Sequence, residues 1–355
     1  MTKDVKNKTV FIGVSGGVDS SVSAALLKEQ GYNVVGVFIK TWQPEWVECT
    51  WRDEKRDAMR VCAHLGIPFL FLDLEKEYKE GVADYMISEY KAGRTPNPDV
   101  MCNKEIKFGA FYKKARELRA DFIATGHYAK TDNTRLFVGK DKNKDQSYFL
   151  WTIPQEVLQH VIFPVGHLEK KEVRILAEKY SLPTATKKDS QGICFIGPVD
   201  MKEFLSHYID TQKGDVLDES GKVIGSHDGA LLYTIGERHG LQISQHIPNQ
   251  SPYFIIAKDI GKNTLIVSQD RLGVKDKETH TIVLDSCNWV TSLPETGKEY
   301  KIRMRYREDL SDAVIEKIGD TSAVIKPREK MLAPAGQSAV LYDGEVCLGG
   351  GIICE

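Results

Sequence analysis

The sequence predicts an α/β fold: a parallel sheet with helices on both faces, then a small mixed domain, then a C-terminal β-barrel. Two observations predict it. Apolar runs alternate with helical patterning through the first third of the chain, the mark of a parallel sheet covered by its own crossover helices. From about Gly214 onward, short apolar runs are instead separated by Gly, Asn, Asp and Pro, which reads as β structure linked by turns.

The elements follow in order. Val10 to Val14 reads as a buried strand. A helix is expected from about Ser20 to Gln30, with Gly31 as its stop. Val34 to Ile39 is a second strand, and Ala58, Val61, Cys62 and Leu65 recur at helical spacing before Gly66. Phe69 to Leu72 is a third strand. Phe108, Phe111, Tyr112, Ala115 and Leu118 mark an amphipathic helix, and Phe122 to Thr125 a further strand. Val173, Leu176, Ala177 and Tyr180 form one later helical face, and Met201, Phe204, Leu205 and Tyr208 another. Turn signals fall at Ser220-Gly221, Lys262-Asn263 and Asp343-Gly344, the last reading as a two-residue hairpin loop.

At 355 residues the chain is long for one domain, since about 150 residues per domain is usual. Domains are expected over 1–208 (catalytic), 209–275 (a mixed linker domain) and 276–355 (the barrel). The formal net charge is -2, so no global field draws in nucleic acid, and any RNA contact must use a local basic patch. No stretch approaches the roughly 18 apolar residues of a membrane span, nor is there a leader-like apolar segment at the start; a cytoplasmic protein with no membrane partner is expected. Seven cysteines, an odd set with no Cys-x-x-Cys pair, argue against a secreted disulfide framework and a structural zinc site.

Gly13-Val-Ser-Gly-Gly-Val-Asp-Ser20 joins the first strand to the first helix. Two adjacent glycines allow a sharp turn and close approach to a ligand. The free N–H groups and dipole of the helix start then favour an anion, with Ser15, Ser20 and Ser21 as further donors. Asp19 is placed either to hold magnesium or to cap the helix. The Lys-Ser/Thr ending of a Walker loop is missing, which argues against γ-phosphoryl transfer.

Two cysteines stand out. Cys102 lies in a segment read as a loop, between Pro98 and the Phe108 helix, beside Lys104. A helix start and a lysine both favour thiolate, and Asp99 is placed to accept or relay its proton. Cys194 follows Gly192 near Lys187 and Lys188. Cys62, Cys287, Cys347 and Cys354 read as small buried hydrophobes, and Cys49 is undecided. The loop resembles the pyrophosphate loop of the ATP pyrophosphatases, which adenylate a carbonyl-type oxygen; with two reactive thiols, that resemblance suggests a plan in which ATP activates an oxygen, one thiol carries a persulfide, and the other resolves it to a disulfide. The tryptophans of 42–51 are expected to pack on the domain surface, with base stacking as the alternative.

These strings, with Ala124-Thr-Gly-His-Tyr-Ala129, Lys144-Asp-Gln-Ser-Tyr-Phe-Leu150, Asp189-Ser-Gln-Gly-Ile-Cys-Phe-Ile196, Tyr233-Thr-Ile-Gly-Glu-Arg-His-Gly240, Arg305-Tyr-Arg307 and Gly349-Gly-Gly351, resemble the bacterial-type tRNA-specific 2-thiouridylase family over essentially the whole chain. The resemblance implies a pyrophosphate-loop ATPase domain that adenylates the O2 of the wobble uridine. Gly13, Val14, Ser15, Gly16, Gly17, Val18, Asp19, Ser20, Ile39 and Gly126 would contact ATP, which brings Mg2+. Asn97, Pro98 and Asp99 would meet the target base. Cys102 would be the nucleophile and Cys194 the persulfide carrier, joined in a transient disulfide. His127, Lys144, Asp145, Gln146, Arg305, Tyr306 and Gln337 would contact tRNA, with a persulfide relay protein fed by a cysteine desulfurase as donor. A rival chemistry would place an iron–sulfur cluster on Asp99, Cys102 and Cys194. Segment 41–51 departs from the family, with Trp42, Trp46 and Trp51 where small and acidic residues are usual. A nitrogen-transferring pyrophosphatase needs no paired thiols, and a non-catalytic RNA-binding protein needs no phosphate loop.

Overall fold

The computed structural model describes residues 7–47, 50–189, 194, 199–244, 251–272 and 281–354. Cys49 and the rest of the 189–196 motif, residues 190–193 and 195–196, lie outside them. The first segment carries β1 (Thr9–Gly13), β2 (Asn33–Lys40), β3 (Phe69–Asp73), β4 (Phe122–Ala124), a hairpin β5 (Ala129–Thr131) and β6 (Leu136–Val138), and β7 (Val161–Ile162). Five of these form a sheet in the order β3-β2-β1-β4-β7, parallel throughout. Strand alternation sends neighbouring residues to opposite faces. Val10 and Ile12 join one core with α1 (Val18–Glu29) and α2 (Trp51–Leu65). Phe11, Val37 and Leu72 join the other, with Met86, Ile106 and Phe111. Strand order reverses between β1 and β4, and in such sheets the crevice at that switch point, beyond the carboxyl ends of the strands, is where ligands bind.

The middle segment holds β8 (Gly214–Leu217), β9 (Val223–His227), β10 (Gln242–Ile243), β11 (Phe254–Asp259) and β12 (Thr264–Ser268). They form one sheet, order β10-β9-β8-β12-β11, in which only the β8–β12 pair is parallel. Next come β13 (Ile282–Trp289), β14 (Glu299–Arg303), β15 (Ser311–Ile318), β16 (Ala323–Pro327), β17 (Ser338–Asp343) and β18 (Val346–Ile353). They close into an antiparallel barrel through the β13–β18 pairing. Asp343 pairs with Val346, so the hairpin loop is Gly344-Glu345, one residue later than the sequence suggested. Leu118 is also corrected: its helix ends at Glu117 and the side chain is exposed.

One connection was not foreseen. The β5–β6 hairpin, encoded within the first segment, pairs with barrel strand β18 through Phe137 with Val346 and Leu136 with Cys347. Around this seam Tyr148 donates its hydroxyl to the carbonyls of Met304 (2.9 Å) and Ser338 (3.0 Å). Asn288 donates to the carbonyls of Trp151 and Ile153. One hydrophobic core runs continuously from Phe11 through Val216 and Tyr233 to Val340 and Tyr342. The tryptophans pack on the protein: Trp42 lies against this core, Trp46 stacks on His207 at 3.9 Å, and Trp51 sits beside Phe71. No helix among the described residues is long and apolar enough to cross a membrane.

Candidate active site

A cavity of about 390 Å³ opens at the switch point. Its walls come from the turn after β1 (Gly13, Val14, Ser15, Gly17, Val18, Asp19, Ser20), from Ile39 of β2, and from Gly126 and His127 after β4. Tyr306 and Arg307 of the barrel complete it, with Lys144, Gln146 and Cys194. The turn is closed by its own hydroxyls: Ser20 Oγ lies 3.3 Å from Ser15 N and donates to the Gly17 carbonyl. Gly16 has φ +73, and a Cβ there would meet the Glu54 carbonyl at 2.7 Å. Gly126 lies so close to the helix start that a Cβ would sit 2.8 Å from Ser20 N. α1 thus presents an uncapped N-terminus to the cavity, an arrangement suited to phosphate.

Two expectations for this loop are corrected. Ser21 is fully buried and donates back to the Gly17 carbonyl at 2.7 Å, so it is not a ligand donor. Asp19 does not cap the helix, whose N-cap is Gly17 without a side-chain bond. Its carboxylate instead accepts from Lys170 (2.7 and 2.8 Å) and from the Tyr128 hydroxyl (2.7 Å). Lys170 also pairs with Asp189 at 2.8 Å, and Asp189 takes Lys144 (2.8 Å) and Arg174 (2.7 Å) as well. Burial opposes the charge on Asp189, but hydrogen bonds from Lys144 and Lys170 outweigh it and hold its carboxyl at about 2.

The two candidate sulfurs meet. Cys102 Sγ donates to Cys194 Sγ at 3.4 Å. The predicted loop around Cys102 is helical: Asn97 caps a turn at Pro98–Met101, accepting from the N–H groups of Asp99 and Val100. That turn runs directly into a π-helical stretch, Cys102–Ala110, a widened coil often found at functional sites. Cys102 is consequently fully buried. The thiolate expected there is corrected: burial, then the hydrogen bond to Cys194, push its thiol well above the ordinary value. Cys194 moves the other way, lowered by the hydrogen bond from Cys102 against burial, with help from Lys107.

The cation is also corrected. Lys104 is exposed and pairs with Glu105, and Lys187 pairs with Asp57 at 2.8 Å. Lys107 instead hydrogen-bonds Cys194. Burial works against its charge, but Cys194, Cys102 and Asp99 outweigh it and raise its pKa. Asp99 is raised by burial against the pull of Lys107 and of the Cys194 N–H. Tyr78, fully buried, donates its hydroxyl to the Cys194 carbonyl at 2.7 Å. His127 is buried, bonded through Nδ1 to Thr125 Oγ1 (2.7 Å). Burial and then Lys107 hold it well below the usual histidine range, so it is neutral. Sequence reading missed Lys107, Tyr78, Lys170 and Asp189; Lys107 and Asp189 stand within the two cysteine strings, but no local signal marks Tyr78 or Lys170.

The remaining expected RNA contacts divide. Asp145 is corrected: it is 4 % exposed, and its oxygens accept from the N–H groups of Gly139 and Ser147, from Ser147 Oγ and from Arg303. It braces the chain and offers nothing outward. Gln146 lines the cavity while accepting from Tyr128 N–H. Arg305 donates to the Ile235 carbonyl. Gln337 donates to the Thr95 carbonyl at 2.9 Å, tying the barrel to the strand of chain that leads into Asn97. The iron–sulfur alternative does not fit. The two sulfurs touch each other beside an ammonium group, and no group of three or more His, Cys, Asp or Glu side chains among the described residues is arranged to hold a metal.

Known proteins resemble this chain along its length. Three family models match in succession: a tRNA methyl transferase HUP domain over residues 8–198, a tRNA methyl transferase PRC-barrel domain over 202–269, and an aminomethyltransferase beta-barrel domain over 279–353. The tRNA-specific 2-thiouridylase MnmA of Bacillus subtilis is 46% identical over 99% of this chain and 96% of its own length. The protein of the same name from Lysinibacillus sphaericus is 45% identical over 100% and 96%, and that of Bacillus velezensis 47% over 99% and 96%.

Proposed function

The chain belongs to the tRNA-specific 2-thiouridylase family, and from that premise we propose that it thiolates the wobble uridine of tRNA by way of an adenylated base and a Cys194 persulfide. One observation carries this reading: the sulfurs of Cys102 and Cys194 touch at 3.4 Å, and Cys194 lines the cavity that the phosphate loop also lines. Neither feature alone implies sulfur transfer. Together they set the turn and the sulfur pair beside one cavity, which supports the reading that nucleotide and target base meet there.

The steps follow from the residues. ATP lies with its phosphates on the Ser15–Ser20 turn, accompanied by Mg2+ as counter-ion, and Asp19 is the carboxylate at that helix start. Ile39 and Gly126 border the nucleotide. The target uridine enters beside Asn97, Pro98 and Asp99. Its O2 attacks the α-phosphorus, and pyrophosphate leaves. The Cys194 thiolate has meanwhile attacked the outer sulfur of a persulfide on a donor protein fed by a cysteine desulfurase; the donor's S–S bond breaks and the donor's own thiolate leaves. That outer sulfur attacks C2, and AMP leaves with the oxygen. Cys102, losing its proton toward Asp99, attacks Cys194 Sγ. The S–S bond to the transferred sulfur breaks, its electrons stay with the product, and a Cys102–Cys194 disulfide remains for an external reductant. His127, Lys144, Gln146 and Tyr306 line the cavity, while Arg305 and Gln337 hold the carbonyls of Ile235 and Thr95; tRNA would bear on all six. All of this chemistry suits a cytoplasmic enzyme.

The test is incubation with unmodified tRNA, ATP, magnesium and a persulfide source, followed by mass analysis of digested nucleosides. 2-Thiouridine at the wobble position is the expected product. Pyrophosphate release driven by a small metabolite without tRNA would instead favour a nitrogen-transferring enzyme. Gly126→Ala gives a second check. Its Cβ would press on the Ser20 N–H, and a displacement near 1 Å at a reacting centre costs about a hundredfold in rate. ATP-to-AMP turnover with tRNA should fall by about that factor; unaltered turnover would mean that the nucleotide is bound elsewhere.

A further inference from the structure

We propose that Lys170 is a positioning residue that registers the sulfur-carrying segment against the phosphate loop, one ammonium holding both Asp19 and Asp189. Its meaning for turnover rests on the thiolation reading above; the registration itself does not.

The geometry is specific. Asp19 stands in the first turn of α1 and receives Lys170 Nζ on both oxygens, at 2.7 and 2.8 Å. The same Nζ lies 2.8 Å from Asp189 Oδ1. The Lys170 side chain is only 15% exposed, so this is no loose surface pair. Its base is fixed. The helix Lys170–Lys179 begins with a capping box between Glu169 and Glu172, and Lys170 N–H donates to Asp141 at 3.0 Å. Val173 and Ala177 share a core with α1. One turn further on, Arg174 reaches Asp189 at 2.7 Å and the carbonyls of Ala185 (2.9 Å) and Lys187 (2.6 Å).

Asp189 is therefore held by Lys144, Lys170 and Arg174 together. Three cations around one carboxylate leave positive charge to spare, and Asp19 takes it. Cys194 follows five positions after Asp189. The spacing between the phosphate-binding turn and Asp189, from which the chain leads to Cys194, is thus set by two salt-bridge lengths on a rigid helix. Intramolecular reactions depend steeply on such spacing.

The test needs neither tRNA nor ATP. Full-length protein is treated with diamide, and the rate of Cys102–Cys194 disulfide formation is read by peptide mass. Lys170→Met should slow it by about tenfold to a hundredfold, while Lys170→Arg, which keeps the charge and reach, should stay within about threefold of the parent. Asp189→Asn frees the other end, leaves the Asp19 pair in place, and should slow the reaction likewise; it carries the test if Lys170→Met fails to fold. In thiolation assays Lys170→Met should lower kcat with little change in KM for tRNA. Parental disulfide rates in both Lys170→Met and Asp189→Asn would overturn the proposal. Slowed disulfide formation in a protein whose parent thiolates no tRNA would uphold the registration and discard the thiolation reading instead.

Discussion

Cys194→Ser is expected to abolish 2-thiouridine formation while leaving tRNA-dependent release of pyrophosphate in place. The serine hydroxyl keeps the space but cannot carry a sulfane sulfur, so the defect falls on the chemistry rather than on ATP. Loss of a nucleophile from a working constellation typically costs at least about a thousandfold in turnover. The companion variant, Cys102→Ser, should accept sulfur on Cys194 but fail to resolve it, so the isolated protein would carry the mass of one extra sulfur on the Cys194 peptide. Nucleoside and peptide mass analysis read both outcomes. Thiolation by Cys194→Ser at the parental rate would end the persulfide mechanism.

Lys107→Met should give the second large effect, and its sign is fixed by charge. Cys194 is lowered in the folded protein by the Cys102 hydrogen bond and by Lys107. Removing the ammonium removes the cation that helps to stabilise the thiolate, so the Cys194 pKa rises. An opposite charge at such range shifts a group by about one to three pH units. Sulfur loading at neutral pH should therefore drop by about tenfold or more, and the rate should recover as pH rises through the new value. Loading rates across a pH series, with alkylation of Cys194 as a parallel readout, check this. A midpoint identical to the parent's would show that the lysine does not act as the counter-ion.

The sequence exposed the parts of the site that are contiguous and hid those that depend on direction. The phosphate loop was legible because strand, glycine pair and helix follow one another within Thr9–Glu29, and hydrogen bonding there is local. The pairing of Cys102 with Cys194 could be anticipated from chemistry. Which sulfur holds the charge could not, because that depends on how completely Cys102 is enclosed. In the sequence Lys107 is one cation among Lys104, Lys113, Lys114, Arg116 and Arg119; the π-helical path from Cys102 and the packing of Cys194 turn it inward. Asp145 sits in a string that resembles an RNA contact, yet two backbone N–H groups, Ser147 and Arg303 occupy it. A motif gives residue identity without saying which way the side chain faces. Lys170 lay in a charged run, Glu169-Lys-Lys-Glu172, that reads as an ordinary solvated face.

The hairpin stitched to the barrel has a bearing on ancestry. β6 completes β18 at Val346 and Cys347, so the seam between the two runs through a hydrogen-bonded ladder rather than through a tether. A recombination that brought in a foreign barrel would leave two raw sheet edges and bare the buried Leu136 and Cys347 to water, the conditions under which strands find wrong mates. An exchanged barrel would have to rebuild this short ladder and cover Leu136 and Cys347 again.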